Sequence, residues 1–244
     1  MGLFGFIGAA IGAVGSFISG AVSFIGSALS TVGSVISGFA GKVLEIVASI
    51  PKISLETVKE IVNAIATILE CVCNIFGITE NETCEELGAK ATQEGVKSID
   101  EFDGDAKAYI DYLRNEVKLD KERFDKLSQE DKLGCKALGI SMETKAVEQE
   151  IGGVKISPEY LAVMATINNS GKMNIDGQSF IDVTESLKKS GITDMKEVSD
   201  YFEHKGNADP IKTGEALTEA FGRLDGVDDP YKKIDEIDKV LNVE

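Results

Sequence analysis

The stretch GLFGFIGAAIGAVGSFISGAVSFIGSALSTVGSVISGFAG, residues 2–41, contains no charged side chain and no proline. Large apolar residues recur in it at every third or fourth position from Phe4 to Phe39, which is the periodicity of an α-helix. Glycine or serine recurs between them at similar spacing. Each glycine costs up to about 1 kcal/mol relative to alanine in a water-exposed helix, so we expect another surface to hold this one.

Three environments are candidates for holding residues 2–41. Small residues three or four apart let helix backbones approach closely, as they do in bilayers and in tight helical assemblies. The alternatives are therefore insertion into a bilayer, packing with copies of the chain in an assembly, and burial in the core of an ordinary soluble fold. A straight helix of this length would reach about 60 Å, twice a hydrocarbon core of roughly 30 Å. We expect a hairpin that turns at residues 20–26, or one long bundled helix.

Insertion is the leading interpretation, and it assigns roles to two sets of residues. The large apolar side chains expected to enter the bilayer are Leu3, Phe4, Phe6, Ile7, Ile11, Val14, Phe17, Ile18, Val22, Phe24, Ile25 and Leu29. The small residues expected to bring helices close together are Gly5, Gly8, Gly12, Gly15, Gly26 and Gly33.

The opening residues Gly-Leu-Phe-Gly, 2–5, followed by a glycine-studded apolar run, resemble a viral fusion peptide of the influenza type. That resemblance covers only the start of the chain, and it implies bilayer insertion once Met1 is removed. The alternation of small and apolar residues in GSALSTVGSVISG, residues 26–38, resembles the hydrophobic stretches of phage tape-measure and ejection proteins. It is also similar to membrane-inserting effectors of bacterial injection systems.

The rest of the chain is acidic. The net charge is −16, of which residues 81–244 carry −14. Such a body repels phosphate backbones, so we expect no nucleic-acid partner. No G-x-S-x-G, P-loop, H-E-x-x-H or Rossmann glycine pattern occurs, and His204 is the single histidine. We therefore expect no enzymatic activity and no cofactor.

The cysteines and the acidic run do not form a metal-ligand pattern. Cys71, Cys73, Cys84 and Cys135 have spacings that fit no zinc site, and we expect buried free thiols. A bridge from Cys71 or Cys73 to Cys84 is the alternative outside the cytosol. The acidic run at residues 100–105 fails as a calcium loop, and we expect it to precede a helix N-terminus.

Composition divides the chain, all of which we expect to be α-helical. Pro51 predicts a break, after which Ser54 caps an amphipathic helix that can fold back and cover the first segment. Helices are further expected at residues 121–138 and 142–151, and another is expected to start at Ser157 and Pro158. The expected units are 1–53, a membrane-inserting or self-associating segment; 54–80, an amphipathic helix; 81–151, an acidic helical region; and 152–244, a helical domain.

The last of these units resembles a degenerate pair of EF-hands. Its two loops would be residues 168–179 and 204–215, with a final helix at residues 215–224. The resemblance implies that Ile175 and Ile211, at the eighth loop positions, pair across a short ladder. Half of the side chains at loop positions one, three, five and twelve carry no oxygen, and only the second loop keeps a carboxylate at its twelfth position, so we expect no calcium binding and a helix–loop–helix surface for docking.

We therefore expect a non-enzymatic protein that inserts its N-terminal helices into a bilayer, as an oligomeric pore or perforating effector. Its partners would be lipid, copies of itself and a chaperone or delivery machine, and it would be membrane-associated after delivery, whether secreted or carried in a phage or injection particle. One alternative is a structural or ejection component of a phage tail or contractile injection machine. Another is a calcium-independent adaptor.

Overall fold

The structure, a computed structural model, describes residues 13–50, 53–80 and 82–242. Across these residues the chain is helical, and its single β-bridge joins Lys155 and Asp194. The predicted all-α class is confirmed. The helices are α1 Ala13–Ser27, α2 Leu29–Val32, α3 Ser34–Ala48, α4 Leu55–Ile75, α5 Cys84–Ala91, α6 Ala106–Asn115, α7 Lys121–Asp125, α8 Gln129–Ile151, α9 Pro158–Asn169, α10 Gly177–Lys189, α11 Lys196–Phe202, α12 Pro210–Phe221 and α13 Pro230–Leu241, with a 3-10 turn at Ile99–Phe102.

The described part of the N-terminal segment is a broken hairpin. Helix α1 ends before Ala28, and Gly33 separates α2 from α3 with a φ of 78° that favours glycine. Helices α1 and α3 then pack against each other. The expectation of one long helix is wrong, and the turn lies at residues 28–33 rather than at 20–26. No helix in the described ranges is both long and apolar enough to cross a membrane.

Helix α8 is the hub of the molecule. Helices α1, α3, α4, α5 and α6 all pack on it. Ser128 caps its start, where the hydroxyl oxygen accepts a hydrogen bond from the N–H of Asp131 at 3.1 Å. The sequence predicted a helix that continued from residue 121 to 138 and stopped before 142. The structure instead breaks the chain at Lys126–Ser128 and runs α8 without interruption through Gly139.

The contact between α5 and α8 is so close that two glycines are required. A Cβ atom at Gly88 would lie 1.8 Å from the carbonyl oxygen of Cys135, and one at Gly139 would lie 1.9 Å from that of Cys84. Both distances are far below van der Waals contact. The two backbones therefore touch directly, and no other residue type fits at Gly88 or Gly139 without moving a helix.

The remaining helices complete one continuous hydrophobic core. Helix α4 lies between α8 on one side and α9 and α10 on another. Its predicted cap is confirmed, since the Ser54 hydroxyl accepts from the N–H of Thr57 at 3.0 Å. The predicted start of α9 at Ser157 and Pro158 is also confirmed.

The helix predicted at residues 215–224 begins earlier. Asp209 caps it by accepting from the N–H groups of Ile211 and Lys212, both at 3.1 Å, and α12 starts at Pro210. Ile211 therefore lies in the first turn of a helix. Its side chain is exposed, with 72% of the residue surface accessible, whereas Ile175 is buried. No ladder joins these two isoleucines in the described chain.

Candidate functional site

The uncharged segment has a buried face that belongs to the protein's own core. Phe17, Ile18 and Ile25 of α1 are buried, as are Val32 of α2 and Ile36 of α3. Three more side chains of the predicted membrane-inserting set, Val14, Val22 and Phe24, pack partly buried against the same core. For residues 13–41, the surface that covers the apolar face in this structure is thus the core of the same chain.

The surface that holds α1 is supplied chiefly by α8. A Cβ atom at Gly134 would lie 2.7 Å from the Phe24 ring, and one at Gly20 would lie 3.2 Å from the Cβ of Glu130. The helix of residues 55–75, expected to cover the segment, adds the ammonium of Lys59 at 5.0 Å from the centre of the Phe17 ring. Small residues thus bring α1 and α8 close together, as the sequence pattern predicted for helix packing in general.

The opposite face of this segment is exposed and carries no charge. Leu29 is 48% exposed and Val35 is 59% exposed. Around them the exposed positions are small residues, and a Cβ atom at Gly26 or Gly38 would meet no atom within 4 Å. Gly33 is buried at the turn between α2 and α3, where a Cβ atom would lie 3.0 Å from Ile99. The helix-packing role expected of Gly15, Gly26 and Gly33 remains a prediction.

Part of the predicted site lies outside the described residues. This part contains five of the large apolar residues and three of the glycines: Leu3, Phe4, Phe6, Ile7, Ile11, Gly5, Gly8 and Gly12.

A second site lies in the core, around Glu143 of α8. The Glu143 side chain is completely buried, and its Oε2 accepts a hydrogen bond from the Cys84 thiol of α5 at 3.2 Å. The Cys73 thiol of α4 also hydrogen-bonds to this carboxyl group. The second oxygen, Oε1, has no hydrogen-bond partner. Beside the cluster, the Glu70 carboxylate accepts from the N–H of Cys84 at 2.7 Å.

Burial controls the protonation of this cluster. The pKa of Glu143 is raised to about 8, chiefly by removal from water and also by the nearby charge of Glu70, while the hydrogen bonds from Cys84 and Cys73 oppose the rise. Burial and the charge of Glu143 also raise the pKa values of Cys73 and Cys84. The carboxyl group is therefore neutral near pH 7, and the thiols keep their protons. Protonated thiols are poor nucleophiles, so the cluster does not resemble a catalytic cysteine site.

The α5–α8 contact positions Glu143. On one helix, residues four apart lie on the same face, so Glu143 lies one turn beyond Gly139 on the side that touches α5. Because Gly139 contacts the backbone of Cys84, the Cys84 thiol is brought against the Glu143 carboxyl. Glu143 was not predicted from the sequence, in which its position four residues after a mid-helix glycine was the one available signal.

The four cysteines are free, as expected. Cys73, Cys84 and Cys135 are buried, while Cys71 is partly exposed, and its Sγ would lie 2.6 Å from a Cβ atom at Gly177 of α10. Among the described residues, no group of three or more His, Cys, Asp or Glu side chains is arranged to hold a metal ion. The acidic run at residues 100–105 serves helix ends, since Asp105 caps α6 by accepting from the N–H of Ala108.

The single histidine lines a cleft of about 540 Å³ between α11, α12 and α13. His204 has a φ of 54°, and its Nε2 lies 3.3 Å from Oδ1 of Asp238. Tyr201 and Ile234 contribute to the walls. The described chain brings no serine or cysteine into this lining, so the cleft lacks the nucleophile that a histidine base would activate.

The chain is thus an all-α protein in which α8 contacts both a helical hairpin that is uncharged over residues 13–41 and a buried carboxyl–thiol cluster. No family model matches the sequence, and comparison with curated proteins and with solved structures found no match.

Proposed function

We propose that the protein is membrane-active and that the structure is its resting state. In this proposal the hairpin of α1, α2 and the uncharged first half of α3, residues 13–41, leaves α8 and inserts its apolar face into a bilayer, where several copies assemble into a pore. The acidic body keeps the resting protein in solution and stays outside the lipid. Localisation would be at a membrane after delivery.

One observation carries this proposal: every residue of the hairpin from 13 to 41 is uncharged, on its exposed face as well as on its buried one. A helix that stays on the surface of a soluble protein normally carries charge on its outer face. Here that face has small residues with Leu29 and Val35 between them. Residues 13–41 could therefore enter hydrocarbon without burying an ionised group, which is the main cost of insertion.

Shielding before insertion also supports the proposal. Apart from the exposed Val35, the large apolar side chains of α1 and α3 lie in the core or against it, so the resting protein would not aggregate through them. The glycines Gly26 and Gly38, with open space in front of them, are available for close helix contacts between copies once the hairpin is released.

A matched pair of substitutions tests the proposal by dye release from liposomes. Val35→Asp places a charge on the hairpin, and Ile211→Asp places one on α12; each is the second residue of its helix and is exposed. A buried aspartate costs about 3 kcal/mol at the centre of a membrane helix, so we expect Val35→Asp to reduce leakage at least tenfold. Ile211→Asp should leak like the unchanged protein.

Equal leakage from both variants would contradict insertion of the hairpin. Intact vesicles with all three proteins, together with one oligomeric mass in the absence of lipid, would instead support the second candidate function. That candidate is a structural role in an assembly, and it is favoured by the same uncharged exposed face around Gly26 and Gly38. Thermal unfolding of each variant controls for loss of the fold.

A further inference from the structure

The Glu143 cluster lies where three helices meet, and it bears on the release of the hairpin. Helix α8 touches α4 and α5 through Glu143, and it touches α1 through Gly134 and Glu130 on its first half. The same rigid helix thus contacts both the buried carboxyl and the stored hairpin. A displacement of α8 at one position is transmitted to the other.

The geometry around Glu143 accommodates a neutral carboxyl and not a charged one. Two thiols, which are weak donors, are the hydrogen-bond partners of the group, and Oε1 has none. A carboxylate at this position would have one charged oxygen in a dry core without a donor, which is among the most costly arrangements in a protein.

The ionisable groups of the neighbouring helices do not offset such a charge. Helix α4 presents Glu70 and the Cys73 thiol, and α5 presents Cys84. Helix α1 carries no ionisable side chain, and the two in α3, Lys42 and Glu45, pair with each other at 3.5 Å.

Helix α6 is the remaining neighbour of α8. Its charged groups form ion pairs away from Glu143. Lys107 pairs with Glu150 at 2.5 Å, and Arg114 pairs with Asp111 and Glu82. The Tyr109 hydroxyl is buried, and the tyrosines of α6 stack with each other and with Phe102. No cation therefore faces Glu143 in the described part of the chain.

The contact between α5 and α8 beside Glu143 cannot admit water by a small movement. The backbones of α5 and α8 already touch at Gly88 and Gly139, so water reaches Glu143 only if the helices separate. Loss of the proton is therefore linked to opening of the contact rather than to local hydration.

We propose that Glu143 is a proton-operated latch: the neutral carboxyl keeps α8 against α4 and α5, and transfer of its proton to water separates these helices and loosens α1 from α8. The proposal rests on the proposed function for the consequence at a membrane, but the latch itself is a property of the protein alone. It makes the resting state less stable as pH rises from the acidic range to slightly alkaline pH.

The direction in which stability changes with pH follows from the linkage between proton binding and folding. The folded state holds the Glu143 proton up to a pKa of about 8, whereas an unfolded glutamate releases it near 4.5. Between these values the folded state binds more protons, so this group makes stability fall as pH rises, and the loss is complete above the folded pKa. The effect is opposite to that of a carboxylate in an ion pair.

Urea unfolding and hydrogen exchange of the full chain, without lipid, test the latch. Between about pH 6 and about pH 9 we expect the unfolded-to-folded ratio of the unchanged protein to rise at least tenfold more than that of Glu143→Gln, which cannot ionise. Glu150→Gln, on the same helix at the surface, is the matched control and should behave like the unchanged protein. Exchange of α1 amides, corrected for the intrinsic rate, should accelerate over the same range and not in Glu143→Gln.

The same pH dependence in Glu143→Gln and in the unchanged protein would overturn the proposal, as would α1 exchange that does not respond to pH. If Glu143→Gln does not fold, Glu143→Met, of similar volume and without charge, takes its place. If neither variant folds, carboxyl NMR titration of the unchanged protein decides: no carboxyl that titrates near pH 8 would overturn the latch. Because no lipid is present, these outcomes are independent of leakage, so the latch and the membrane function can fail separately.

Discussion

At the scale of single residues, glycine has two opposite roles in this protein. Gly88, Gly134 and Gly139 allow helices to touch along α8, whereas Gly26 and Gly38 face open space. The sequence marks all of them alike, as small residues in helices. It contains no sign of which glycine meets a neighbour, because that depends on a partner helix far away along the chain.

Two alanine substitutions separate these roles. Gly139→Ala puts a Cβ atom 1.9 Å from the Cys84 carbonyl oxygen, and we expect it to destabilise the protein by about 3 kcal/mol or more. Gly26→Ala meets no atom within 4 Å, and we expect it to stabilise α1 by up to about 1 kcal/mol. Urea denaturation measures both. A small effect at Gly139 would mean that α5 and α8 do not touch as described.

Glu143 is the residue that sequence reasoning could least anticipate. Helix α8 has charged or polar residues in most of its turns, so one more glutamate looks like a solvated position. Its burial follows from the approach of Cys84 across the Gly139 contact, which is a long-range event. By contrast, the burial of Cys73, Cys84 and Cys135 was expected, since free cysteine behaves as a small apolar residue.

At the scale of helices, local signals predicted starts better than ends and breaks. Ser54 was identified as a cap because a hydroxyl before an apolar stripe satisfies a free N–H group, and Ser157 with Pro158 was identified as a helix start. The break at residues 28–33 was misplaced because glycine and serine are spread evenly through the segment. The continuity of α8 was missed because Gly139 weakens a helix in isolation, and only its tertiary contact compensates.

The start of α12 gives an element-scale prediction. Asp209 accepts hydrogen bonds from two N–H groups at 3.1 Å, so Asp209→Ala should cost about 1 kcal/mol. Glu215 lies inside the helix, and Glu215→Ala should change stability much less. Thermal unfolding compares the two. The reverse order would place the helix start near residue 215, where the EF-hand resemblance put it.

At the scale of the whole molecule, a hairpin that is uncharged over residues 13–41 packs on α8 of an otherwise acidic protein. The all-α class could be predicted from periodicity. The composition also indicated that residues 2–41 need an enclosing surface, but not that α8 of the same chain supplies it for residues 13–41. Sequence periodicity identifies an apolar face; it does not identify the surface that covers that face.

The central claim is that the hairpin must leave α8 before it acts on a membrane. A disulfide can prevent this movement, because a Cβ atom at position 20 would lie 3.2 Å from the Cβ of residue 130, close to the separation of about 3.8 Å in disulfides. The double substitution Gly20→Cys with Glu130→Cys therefore tethers α1 to α8 when oxidised and frees it when reduced. Each single variant, under both redox conditions, controls for the native thiols.

The deciding measurement is dye release from liposomes by this tethered protein in its oxidised and reduced forms. The account predicts that the oxidised protein leaves vesicles intact and that reduction restores the leakage of the unchanged protein. Equal leakage from the oxidised and reduced forms would contradict it, because the membrane activity would then not require α1 to separate from α8.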